Sequence, residues 1–227
     1  MISEKLFQRV KGNFNKNYFN RELINMKKIA AILTACTLVT AFAFAAGEPL
    51  KIGAPLPKAD VKMMDVSGKM ISMKDAKGDK GILVMFTCNT CPYVIKNQAR
   101  TIAIAEYAKK MNLGIIFLNS NEAYRGEDDS PAEMKSYAKD QRYKWSYVVD
   151  KDHEVADAFG ANRTPEVFLF DNNLTLVYHG AIDDNPTDAD AVIRQHLKEA
   201  INELTAGKEV TVKESRSVGC AIKRKKS

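Results

Sequence analysis

One junction constrains the chain more than any other feature. An unbroken apolar run, Ile82 to Phe86, leads through Thr87 into two cysteines three positions apart, Cys88 and Cys91. Apolar residues at helical spacing follow: Ile95, Ala99, Ile102, Ala103, Tyr107 and Met111. A short apolar run without polar alternation reads as a central strand covered on both faces. The spacing after Cys91 predicts a long helix, and "GIIFLNS" (Gly114 to Ser120) predicts the next buried strand. Two strands joined through a helix pair in parallel, which makes the fold α/β.

The flanking segments fill in the order. Residues 49–81 carry short alternating runs broken at Ser67-Gly68 and near Gly78, a β-rich N-terminal extension. Residues 121–129 read as a solvated acidic loop. Ser130, Pro131 and Glu133 then supply an N-cap, a first-turn proline and a capping-box acid for a helix to about Gln141. That segment is a helix-bearing central insertion. Trp145 to Asp150 predicts a strand, His153 to Gly160 a short helix, and Glu166 to Gly180 a hairpin turning at Asp171-Asn172-Asn173. From Thr187, the residues Ile193, Leu197, Ala200, Ile201 and Leu204 mark a closing helix ended by Gly207. A 227-residue chain with 45% hydrophobic residues can bury one good core.

The N-terminus bears on where the cysteines work. From Met26, a start with Lys27 and Lys28, an apolar stretch from Ile29 to Phe42 and Ala43-Phe44-Ala45 have the layout of a cleaved secretory signal. The expected organisation is an upstream extension (1–25), a signal peptide (26–45), one domain (46–207) and a C-terminal tail (208–227). The chain is then exported to the periplasm, with no stable membrane span after cleavage. A retained signal-anchor, or a lipid on Cys36 in "LTAC", is the alternative. The formal charge of +6 resides almost wholly in that leader: residues 46–227 carry 27 basic and 26 acidic side chains. No nucleic-acid-binding surface is implied.

Without Cys36, three cysteines remain: Cys88, Cys91 and Cys220. Three thiols do not make a disulfide-stapled scaffold. A thiol at a helix start is shifted toward the thiolate, the attacking species in disulfide exchange. A zinc site needs about four ligands, and His153, His179 and His196 show no ligand spacing. The pair therefore reads as a redox couple without metal or cofactor. His179 reads as a solvent-side strand residue. Cys220 is either a loose thiol on a frayed tail or a third redox thiol brought to the site by an extended tail.

The element order resembles the thioredoxin superfamily from about Leu50 to Leu204. "IGAPLP" (Ile52 to Pro57), the stretch from Val66 to Phe86, "RTPEVFLFD" (Arg163 to Asp171) and "YHGAIDD" (Tyr178 to Asp184) resemble its redoxin and thiol-specific-antioxidant branch. The resemblance implies a central mixed sheet flanked by helices and a thiol–disulfide oxidoreductase acting on protein dithiols and disulfides, recharged by an upstream redox donor. It implies that Cys88 attacks, that Cys91 resolves, and that Thr164 and a cis Pro165 dock the partner chain. One departure stands out. Only Thr87 separates Phe86 from Cys88, so an ungapped alignment puts Cys91 in the nucleophile position. Cys91-Pro92 also resembles a peroxidatic site, but the Pro-x-x-x-Thr/Ser-x-x-Cys pattern is missing, which leaves a thiol-dependent peroxidase as the second reading. A copper chaperone of the Sco type is the third. It would need a wider cysteine spacing and a histidine such as His179 or His153.

Overall fold

A computed structural model of the protein describes residues 48–225. The extension and signal read at 1–45, with Cys36, lie outside the described residues. The first elements are β1 (Met63–Asp65), β2 (Met70–Ile71), α1 (Met73–Ala76), β3 (Ile82–Thr87), α2 (Pro92–Lys110) and β4 (Gly114–Asn119). Then come α3 (Pro131–Asp140), β5 (Ser146–Val149), α4 (Glu154–Phe159), β6 (Arg163–Thr164), β7 (Glu166–Phe170) and β8 (Leu176–Gly180). The chain closes with α5 (His196–Thr205) and β9 (Cys220–Ala221).

Seven strands form one mixed sheet in the order β2-β1-β5-β4-β3-β7-β8. β3 runs parallel to β4, and β4 to β5, while β7 and β8 are antiparallel additions and β1 closes on β5. Every residue of β3 and β7 is buried, which explains the apolar runs Ile82 to Phe86 and Val167 to Phe170. Alternation along β3 divides the core. Leu83 and Met85 pack with Ile104, Phe117, Tyr147 and Leu197 on one face. Ile82, Val84 and Phe86 pack with Ile116, Phe159 and Phe168 on the other.

Three elements differ from expectation. Helix α2 buries Val94, Asn97, Thr101, Ile104, Ala105 and Ala108, and leaves Ile95, Ala99 and Ala103 exposed. Polar Asn97 and Thr101 disguise the buried stripe; Asn97 is accommodated because its amide donates to the carbonyls of Tyr93 and Pro186, both at 2.8 Å. The closing helix starts at His196, not Thr187, and Ile193 is 93% exposed. The Asp184 carboxylate takes the N–H groups of Ile193 and Arg194, and Asn185 Oδ1 those of Thr187 and Asp188. Local side-chain acceptors thus compete with the helix for its donors. In α3, Ser130 caps the N–H of Glu133 as expected, whereas the reciprocal capping box forms in α1 between Ser72 and Asp75.

The segment after α5 packs on the domain. Val210 joins the core of one face and Ile222 that of the other. Between them the chain passes the edge of β8, where His179 N–H donates to Lys213 O (2.9 Å) and Ser215 N–H to His179 O (3.0 Å).

Candidate active site

Strand β3 ends at Thr87, and the next helix begins at Pro92 with Cys91 as its N-cap. Proline suits this place because it needs no N–H there and its fixed φ matches the helix. Cys88 and Cys91 are therefore held between the end of the central strand and the head of α2. Both are free thiols, 1% and 4% exposed, packed with Val94, Tyr93 and Cys220. From the other side comes the loop before β7, where the Thr164–Pro165 peptide is cis. Thr164 Oγ1 lies 3.5 Å from Cys88 Sγ, and the Cys91 thiol donates to Thr164 O at 3.2 Å. All five candidate residues are brought together, because Cys220 pairs with Thr164 in the β6–β9 ladder.

The two cysteines of the pair are not equivalent. Cys91 is lowered to about 4, first by the Cys88 thiol hydrogen-bonding its sulfur, then by the Cys220 side chain and the N–H groups of Val94 and Cys220, against the opposing effect of burial. Cys88 is raised, because it donates to Cys91, because it is buried, and because the Asp129 charge lies near. The helix N-terminus adds to this ordering, since its orphan N–H groups favour negative charge nearby. Cys220 is raised to about 11 by burial, then by its hydrogen bond to Cys91 and the Cys91 charge.

Two buried polar groups run against expectation. Asp129 is fully buried, not solvated: its carboxylate accepts from Asn89 N–H (3.0 Å), Asn119 Nδ2 (2.7 Å) and Asn121 Nδ2 (2.9 Å). It ties the cysteine loop to the end of β4. The clue in the sequence is that Asn119 and Asn121 follow a strand otherwise wholly apolar. His179 is also buried; its Nε2 lies 2.8 Å from Glu166 Oε1, and its ring stacks on Phe168 at 4.3 Å. The other Glu166 oxygen accepts the N–H groups of Asn162 and Arg163 at 2.8 and 3.0 Å. This pair therefore anchors the strand that leads into Thr164-Pro165. The His153 ring is engaged by Asp157 at 2.6 Å.

A cysteine pair between a central strand and its helix, faced by a cis X-Pro loop on a mixed sheet, defines a redoxin-type protein of thioredoxin-like fold. The sequence matches the AhpC/TSA family model over residues 52–179, and the chain belongs to that family. The thiol-disulfide oxidoreductase ResA of Bacillus cereus is 27% identical over 130 residues, 57% of this chain and 69% of that protein. A crystal structure of a conserved protein from Geobacillus kaustophilus, described as uncharacterized, superposes with a TM-score of 0.73 at 32% identity. That match covers 78% of this chain and 94% of the other. The solution structure of a thioredoxin-like protein in the oxidized form shares the fold at a TM-score of 0.56 and 20% identity, over 70% of this chain and 100% of that one. Among the described residues no helix is long and apolar enough to cross a membrane.

Proposed function

We propose that the protein is an exported thiol–disulfide oxidoreductase that exchanges disulfides with other proteins, and that Cys91 is its attacking thiol. The observation that carries the reading is Cys91 at the N-cap of α2, packed against Cys88 and Cys220, where its thiol is shifted toward the thiolate. The thiolate is the nucleophile, so the cysteine shifted toward it leads the exchange. This reverses the roles that the family resemblance implies. The reason is positional: Cys88 precedes the helix and lies deeper. Cys88 acts as the hydrogen-bond donor to the Cys91 sulfur and is one of two thiols close enough to close a disulfide on it.

Thr164 and Pro165 form the wall a partner chain meets. The name of the Bacillus relative, a thiol-disulfide oxidoreductase, supports thiol–disulfide exchange as the reaction. The leader read at residues 26–45 supports export. Copper transfer is disfavoured because the rings of His153 and His179 are held by Asp157 and Glu166.

The test is insulin reduction with dithiothreitol, run beside consumption of hydrogen peroxide. Wild-type protein accelerates insulin precipitation, Cys91→Ser does not, and peroxide is spent no faster than by free thiols. Rapid peroxide turnover without insulin reduction would instead make the protein a peroxidase.

A further inference from the structure

Two thiols face Cys91, and the structure distinguishes them. Cys220 lies on β9, which pairs antiparallel with β6 in the register Thr164 opposite Cys220 and Arg163 opposite Ala221. The edge beside the cis proline, where an extended partner would pair, is thus already filled by the protein's own C-terminal segment. We infer that Cys220, not Cys88, closes the disulfide on Cys91, and that β9 is a tethered occupant of the partner-docking edge. The inference rests on the thiol–disulfide reading above.

The approach is built into the backbone. A Cβ on Gly219 would lie 2.2 Å from Thr164 O, so only glycine lets the segment come this close. Upstream, Gly180 (φ +149°) leaves room for Ser215, whose hydroxyl lies 2.7 Å from Tyr178 Oη and accepts Ala181 N–H at 2.9 Å. Downstream, Ile222 is buried in the core and its N–H donates to Asn162 O at 3.1 Å. The Arg224 guanidinium pairs with Asp157 at 2.8 Å. Residues 216–221 are therefore a strap pinned at both ends. Along one side it borders a cavity of about 310 Å³ lined by Asn97, Pro165, Asp183, Arg216 and Val218, which leaves that limb free of close packing.

The chemistry follows from what changes when Cys91 reacts. The Cys91 thiolate attacks a disulfide R–S–S–R′, forming Cys91–S–S–R and releasing R′–S⁻, which takes a proton from water. Cys91 is now uncharged. Burial still raises Cys220, but the hydrogen bond and charge of Cys91 no longer hold it up, while the Lys223 charge and the Tyr93 N–H favour its thiolate. Cys88 stays held up by burial and by Asp129. Cys220 therefore ionises first and attacks Cys91 Sγ, forming Cys91–S–S–Cys220 and releasing R–SH with the Cys220 proton. Two thiols have been oxidised and one disulfide reduced to two thiols. One edge cannot pair with two strands at once, so the return of β9 and the departure of the partner chain are a single exchange.

The experiment treats reduced protein with bis(2-hydroxyethyl) disulfide, quenches with N-ethylmaleimide, and maps tryptic peptides without reduction. Cys88 and Cys91 share the peptide 81–96, and Cys220 lies in 217–223. The expected main product joins the two peptides, in wild type and in Cys88→Ser alike. Cys220→Ser should instead accumulate mercaptoethanol on Cys91, at least tenfold above wild type. A bond within 81–96 as the main product, with Cys220 alkylated, overturns the inference and leaves the oxidoreductase reading standing. Cys91 unreactive in every variant defeats both. For the strap, Gly219→Ala should speed the reaction of Cys91 with a peptide carrying a cysteine–mercaptoethanol disulfide severalfold and lower the yield of joined peptide. An unchanged rate means that β9 does not compete with partner chains.

Discussion

Replacing Cys88 by alanine tests the inequality of the two thiols directly. Its thiol is the largest cause of the low Cys91 value of about 4, ahead of Cys220 and the two backbone donors. A hydrogen bond to a charged group contributes about 1.5–3 kcal/mol, and one pKa unit corresponds to about 1.4 kcal/mol. Cys88→Ala should therefore raise the Cys91 midpoint by about one to two units, with the remaining donors holding it below the roughly 8.5 of a free cysteine. Cys88→Ser, which keeps a hydroxyl donor, should recover part of the loss. The assay is thiolate absorbance at 240 nm against pH. It needs no reagent to reach the buried sulfur, and Cys88 and Cys220, both raised, stay silent in the acid range. Linkage supplies a second readout. Because the folded value lies below the unfolded one, the unfolded chain holds the extra proton between about 4 and 8.5. Stability from this group is thus fully present above that window and is lost as pH falls from the unfolded value to the folded one; in Cys88→Ala the loss begins at the same pH but is smaller and is complete at higher pH. If the acid-range titration vanishes in Cys88→Ala, Cys88 was the thiolate and the assignment is reversed. An unmoved midpoint would falsify the hydrogen-bond argument.

Stabilising the Cys91 thiolate stabilises the reduced protein, so the couple should sit at a potential less negative than the −270 mV or so of thioredoxin; equilibration with glutathione buffers measures it, and a more negative value contradicts the ordering. Asp129→Asn turns an amide donor toward groups that already donate, at a cost of about 1–3 kcal/mol; a urea midpoint equal to wild type would show that the cluster does not hold the loop. Ile222→Ala should lose about 2–5 kcal/mol in the same measurement, as for a buried core position. A loss under about 0.5 kcal/mol, in the range of ordinary surface substitutions, would mean that the tail opens independently of the domain.

Much of the sheet was legible because each strand carries its own signal. Ile82 to Phe86 and Gly114 to Ser120 could be read as buried strands without knowledge of their neighbours, and the cysteine spacing with Thr164-Pro165 marked the site. The errors arose where one side chain's role depends on another's. Helix α2 has apolar residues on more than one face, and the stripe it buries includes Asn97, whose acceptors lie partly in the distant loop at Pro186. Asp129 looks like any loop acid until Asn89, Asn119 and Asn121 converge on it. The closing helix could not be shortened on periodicity alone, because the groups that end it are the acceptors Asp184 and Asn185.

The tail unites the remaining discrepancies. Beside β8 it covers what would be an open edge, and His179, at the solvent side in a bare hairpin, becomes a buried partner of Glu166. Glu166 is thereby free to fix the N–H groups of Asn162 and Arg163, which aligns β6. Once β6 is aligned, Thr164 offers its backbone to Cys220, and Gly219 permits the contact. None of these contacts appears as a local pattern, because the segment from Lys208 to Lys223 has neither the apolar run of a core strand nor the period of a helix. Its only sequence signals are a glycine before a cysteine and two valines one residue apart. On the proposed Cys91–Cys220 link, a change that loosens the Ser215 or Ile222 anchors should alter which thiol Cys91 meets while leaving Cys88, Cys91 and Pro165 untouched.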